Sequence, residues 1–249
     1  MKRILSLLSI PILALAACSP KVYAPQSHTE QFYSITGKSA ATDTSAIAHM
    51  LQPYKRGVDT QMTVVIGHTD EPLTKAQPES LLGNFMADAQ LEAGRRINPK
   101  TIAAIANYGG IRIPYIAPGA ITKGKIYELM PFDNMLTLID MPGDALHKLC
   151  DAMAAKKGWP VSGITFIIKD NKATDIMIGG QPLSDALFYT IATNDYIARG
   201  GDNCDMLTPL KKRFTTIFLR DVFINYIADL ERAGKPLHPS LDKRISYAE

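Results

Sequence analysis

The chain has 249 residues with 27 basic and 24 acidic side chains, a net charge of +3, 46% hydrophobic residues and 8% aromatics. This is the composition of an ordinary folded protein; it excludes disorder, collagen and coiled coil, and it supplies enough apolar material to bury a core without disulfide or metal staples. The near balance of charge also excludes a dedicated nucleic-acid binder, because phosphate-driven affinity needs a clustered excess of cations.

The chain opens with Met1-Lys2-Arg3, continues as an apolar run from Ile4 to Ala17 broken only by Ser6, Ser9 and Pro11, and reaches Cys18. A charged start followed by a short apolar run is a signal-peptide pattern, and the run is too short for a stable bilayer-spanning helix, which needs about 20 apolar residues. Leu15-Ala16-Ala17-Cys18 resembles a bacterial lipobox, so residues 1–17 are expected to be removed and Cys18 to carry a lipid anchor. The expected location is the cell envelope, and Ser19 after the cysteine favours the outer membrane. Export places Cys150 and Cys204 where a disulfide can form. Cys150, however, lies among Leu146, Leu149 and Met153 at helical spacing, which favours a buried free thiol.

Residues 18–41 are polar, carry Pro20 and Pro25, and read as a flexible tether with one short strand at 31–35. Asp43 and Thr44 then precede Ile47, Met50, Leu51 and Tyr54 at helical spacing, an amphipathic helix running to Arg56 whose apolar face needs a partner. A strand follows at 62–66. Ser80 can cap a helix carrying Leu81, Leu82, Phe85, Met86, Ala89 and Leu91, stopped near Gly94. The continuous apolar run 101–106 predicts a strand buried on both faces. Further strands are expected at 136–141, 164–169, 176–178 and 188–192, with helices at 143–157 and 214–233. Helices and strands mix without strict alternation, so the expected fold is a single α+β domain over residues 42–249, with a mixed sheet flanked by helices.

Three loops concentrate glycine, Asx, aromatic and arginine residues: Asn107-Tyr108-Gly109-Gly110-Ile111-Arg112, Pro131-Phe132-Asp133-Asn134, and Tyr196 to Asp202. Together they supply a cation, two aromatic faces, amides and a carboxylate, an inventory suited to the phosphate, base and ribose of a nucleotide. These loops, with Gly83-Asn84-Phe85-Met86-Ala87-Asp88-Ala89, Gly119-Ala120-Ile121-Thr122, Ser162-Gly163 and Asn194-Asp195, match in order and spacing the motifs of a known family. Over residues 42–249 the chain resembles the C-terminal, substrate-specificity domain of the 5′-nucleotidase family of metallophosphoesterases.

The resemblance implies that Arg112 holds the phosphate, Asn107 sits near the base, Phe132 and Tyr196 stack on its two faces, Asn134 bonds its edge and Asp202 accepts the ribose hydroxyls. Family members carry a further arginine before the Gly-Asn helix motif. This chain has Gln77-Pro78-Glu79 there, so the phosphate contact is weaker, or Lys75 or a partner supplies the cation. The family's metal-binding segments do not occur; His28, His49, His68, His147 and His238 are scattered without ligand spacing. No nucleophile elbow or P-loop replaces them. No catalytic residue, metal site or cofactor is therefore expected in this chain. The expectation is the recognition half of a split 5′-nucleotidase, with divalent metals held by a separately encoded metallophosphatase. The alternative is a nucleotide-binding lipoprotein without enzymatic function.

Overall fold

The computed structural model describes residues 46–248; the expected signal peptide, Cys18, the tether and its short strand lie outside them. The chain divides into a unit of residues 1–50 and a unit of residues 51–249. Helix α1 spans Ala46–Met62. It contains Pro53, runs six residues past the expected end at Arg56 through Gly57, and none of its residues is buried. The expected strand at 62–66 therefore starts later, as β1 (Val65–Thr69), because Thr63 still closes a helical turn through its N–H and hydroxyl to the Asp59 carbonyl.

A short β2 (Leu73–Thr74) leads to α2 (Leu81–Ile97) and β3 (Thr101–Ile105). Next come β4 (Tyr115–Ile116), β5 (Gly119–Thr122), α3 (Lys123–Leu129), β6 (Met135–Pro142) and α4 (Gly143–Ala155). Then β7 (Val161–Ser162), β8 (Ile164–Lys169), β9 (Lys172–Ile178), β10 (Gln181–Pro182), β11 (Phe188–Asn194) and the single turn α5 (Asp195–Ala198) follow. The last elements are β12 (Lys211–Phe218), α6 (Leu219–Arg232) and β13 (Ile245–Tyr247).

The central five-stranded sheet has the order β12-β6-β11-β3-β7 and is mixed: β11 and β3 are parallel and the other pairs antiparallel. Both faces are buried, as the apolar run of β3 predicts. Ala103 and Ile105 join Leu146, Leu149, Cys150 and Met153 of α4 and the inner face of the second sheet, β10-β9-β8-β13. Ala104, pointing the other way, joins Phe85 and Met86 of α2, Ile126 and Leu129 of α3, and Val222, Phe223 and Ile227 of α6. Ser80 caps α2 by accepting the Gly83 N–H at 3.1 Å. Near its other end Gly94 lets the helix approach the sheet, since a Cβ there would lie 2.9 Å from Ala192 Cβ. Arg244, bidentate on Asp88, ties the C-terminal segment to α2.

The final helix corrects the sequence expectation. Residues 211–218 form the edge strand β12, and α6 begins only at Leu219. The Thr215-Thr216-Ile217 run is β-branched, and the strand pairs with β6 through an irregular register between Phe214 and Phe218. A helix over 214–233 would turn Ile217 inward beside Val222 and Ile224; it is instead exposed, and Leu219 and Phe223 take the core positions. Cys150 and Cys204 are both buried free thiols. Among the described residues no helix is long and apolar enough to cross a membrane.

Candidate nucleotide site

Sheet topology brings the three loops together. Because β3 and β11 run parallel side by side, their C-terminal ends lie at the same end of the sheet, delivering Asn107–Arg112 and Asn194–Asp202 to one place. β6 runs antiparallel to β11 with Leu136 opposite Asn194, so its start, and the 131–134 loop before it, reach the same end. Residues up to 95 positions apart thus line a single cavity of about 340 Å³, which includes Asn107, Arg112, Phe132, Asn134, Tyr196 and Asp202. All six residues predicted from the sequence meet there, together with Gly109, Gly110, Met130 and Asn194.

The loops are held from behind. Asn194 caps α5 by accepting the Ile197 N–H at 2.8 Å, and its amide donates to Asn107 Oδ1 at 3.0 Å. Asn107 Nδ2 donates to Asp202 Oδ2 at 2.9 Å. Asn107 is only 8% exposed and each end of its amide makes one bond, so it ties Asn194 to Asp202 at the wall of the cavity. Asp195 Oδ1 accepts the Met135 N–H at 3.0 Å, which links the loop of Tyr196 to that of Phe132 and Asn134.

The 131–134 loop is gripped by the start of α6. Leu219 N–H donates to the Asn134 carbonyl at 2.9 Å, and Arg220 donates to the Phe132 carbonyl at 3.3 Å and to Asp133 Oδ1 at 2.5 Å. The Arg220 guanidinium lies 4.9 Å from the ring centroids of both Tyr127 and Phe218. No sequence signal marks this arginine as part of the site, because its partners are 87 and 88 residues away.

The cavity-facing groups remain available. Phe132 and Tyr196 are 42% and 46% exposed, so neither is a core residue. The Asn134 side chain makes no hydrogen bond with the described residues. Arg112 is exposed, donates to the Gly109 carbonyl at 3.3 Å, and has its guanidinium 5.5 Å from the Phe132 ring centroid. Lys75 stands behind it, donating to the Ile111 carbonyl at 2.8 Å and lying 4.1 Å from the Tyr108 ring centroid. Burial first, and the charge of Arg112 second, hold the Lys75 ammonium below its usual range. Neither cation has a carboxylate partner among the described residues, so together they leave positive potential beside the cavity. Among the described residues no three His, Cys, Asp or Glu side chains are grouped so as to hold a metal ion.

Comparison with known proteins places the chain in a family. The family model described as 5′-nucleotidase, C-terminal domain, matches residues 65–209. A 5′-nucleotidase of Vibrio cholerae is 26% identical over 183 residues, covering 68% of this chain and 32% of its own length. A cell wall protein of Listeria monocytogenes is 30% identical over 203 residues, covering 74% of this chain and 26% of its own length. The crystal structure of a 5′-nucleotidase precursor from Thermus thermophilus has a TM-score of 0.72 and 26% identity, over 82% of this chain and 43% of that one. The chain therefore spans about a third or less of the length of these two curated relatives.

Proposed function

This chain belongs to the family of 5′-nucleotidase C-terminal domains, and on that premise we propose that its cavity is the nucleotide-recognition site of a split 5′-nucleotidase. The observation that carries the reading is the convergence of a cation, two half-exposed aromatic rings, an unengaged amide and a carboxylate on one cavity. In this reading the base stacks between Phe132 and Tyr196, and Asn134 bonds its edge. Asp202 accepts the ribose hydroxyls, and Arg112 binds the phosphate with Lys75 reinforcing the local potential. Stacking tolerates different bases because every base has a π face.

The chain's part in hydrolysis is to bind and orient. Two metals in a phosphatase activate the attacking water and stabilise the in-line displacement. The described residues offer no grouped ligands for them, and no step of the chemistry is assigned to this chain. The second half of the proposal is that a separately encoded metallophosphatase supplies those metals. The chain is further proposed to be lipid-anchored through Cys18 in the cell envelope, the outer membrane being favoured by Ser19, and the likeness to a cell wall protein supports an extracytoplasmic place.

Coexpression with an exported metallophosphatase that lacks a nucleotide-recognition domain of its own tests the split. Nucleotide hydrolysis is expected from the pair and not from either chain alone; full activity from one chain alone would contradict it. Cys18→Ala should release the protein from the membrane fraction, and unchanged detergent-dependent partitioning would remove the anchor.

A further inference from the structure

Asp202 has φ 55 and ψ 33, in the left-handed region that aspartate enters more readily than most side chains, between Gly200 at φ 95 and Asn203 at φ 64. Five hydrogen bonds hold it, one of them from Cys204 Sγ to its carbonyl at 3.9 Å. Its N–H donates to Tyr196 Oη at 3.2 Å, and that hydroxyl donates back to Asp202 Oδ1 at 3.2 Å. Asn107 donates to Oδ2 at 2.9 Å, and Lys156 Nζ donates to the Asp202 carbonyl at 2.6 Å. The Tyr196 ring packs against Gly201, where a Cβ would lie 2.5 Å from Cζ.

A carboxylate has about four lone-pair directions, two on each oxygen. Tyr196 fills one on Oδ1 and Asn107 one on Oδ2, leaving one on each oxygen. Two adjacent acceptors fit two adjacent donors, as in the cis diol of a ribose. The ring of Tyr196 and the carboxylate of Asp202 therefore form one hydrogen-bonded unit carrying a flat face and a diol acceptor pair.

Resting on the nucleotide reading above, we propose that the Tyr196 hydroxyl is a sugar-specificity determinant: by fixing the Asp202 carboxylate it makes the site select ribonucleotides over nucleotides that lack the diol. It acts as a positioning group through Asp202, distinct from the stacking role of its own ring. A phenylalanine at 196 would keep the stacking face and lose the tether.

Calorimetric titration of the full chain and of Tyr196→Phe with AMP and with 2′,3′-dideoxy-AMP tests this, with melting temperature as a control on folding. The wild type should prefer AMP. Tyr196→Phe should weaken AMP binding by about fivefold or more, as expected for loss of one preorganising hydrogen bond to a charged group, and change dideoxy-AMP binding by less than about twofold. Hydrogen exchange at the Asp202 amide should also quicken, since that N–H loses its acceptor. An unchanged ratio between the two ligands, or an equal loss for both, would overturn the inference and leave the nucleotide reading standing. A wild type that binds neither ligand would overturn the nucleotide reading, and this inference with it.

Discussion

Phe132 and Tyr196 expose enough of their rings that truncation removes a flat face from the cavity and little from the core. Stacking on a base is worth about 1–3 kcal/mol, so Phe132→Ala should weaken nucleotide binding about fivefold or more with little change in melting temperature, and Tyr196→Ala should weaken it further because it also removes the hydroxyl that holds Asp202. A large loss of stability with unchanged affinity would remove the base clamp. Arg112 makes one 3.3 Å contact to its own loop and no ion pair among the described residues, so its charge is available to a phosphate. A charge-assisted bond contributes about 1.5–3 kcal/mol. Arg112→Ala should therefore weaken AMP by about tenfold or more and adenosine far less, measured by calorimetry. Equal losses for both would make it a support of the Gly109–Gly110 turn. At this scale the sequence is informative where chemistry is carried by residue type. Arg, Phe, Tyr and Asp declare what they offer, whereas Asn107 does not declare that its amide ties Asn194 to Asp202.

Among the elements, β3 and α2 were legible for strong reasons: a continuous apolar run for a strand buried on both faces, and a serine cap before a periodic apolar face. The end of β12 and the start of α6 were not. Phe214, Ile217 and Phe218 fit a helical apolar stripe as well as a strand, and only pairing with β6 decides between them. That junction has a functional consequence, because it places Arg220 behind the 131–134 loop. Arg220→Ala should loosen Phe132 and Asn134 together and weaken AMP by at least about threefold. Ribose 5-phosphate, which has no base to stack, should bind as before. If both ligands weaken alike, Arg220 supports the fold at large and not the base-binding loop.

On the scale of the molecule, the core is built from two apolar clusters on either face of one mixed sheet. Its two thiols follow from that burial. Desolvation pushes Cys150 up to about 12 and Cys204 up to about 11, so both are protonated thiols at neutral and mildly alkaline pH and are poor nucleophiles. Native protein at about pH 8 should leave Cys150 and Cys204 unlabelled by iodoacetamide, and denaturant without reductant should expose both to it. A cross-linked Cys150–Cys204 peptide in mass spectrometry would contradict this.

The convergence of three distant loops at one end of the sheet underlies the assignment of the nucleotide site, and backbone resonances of the isotope-labelled full chain titrated with AMP test it most directly. Saturable shifts are expected in three segments, 107–112, 131–134 and 194–202, with one common dissociation constant, and in Phe132→Ala all three should titrate at higher AMP by the same factor. Shifts confined to other parts of the surface, or no shifts up to about 5 mM AMP, where an affinity near 4 kcal/mol would still register, would contradict the assignment of this cavity as a nucleotide site.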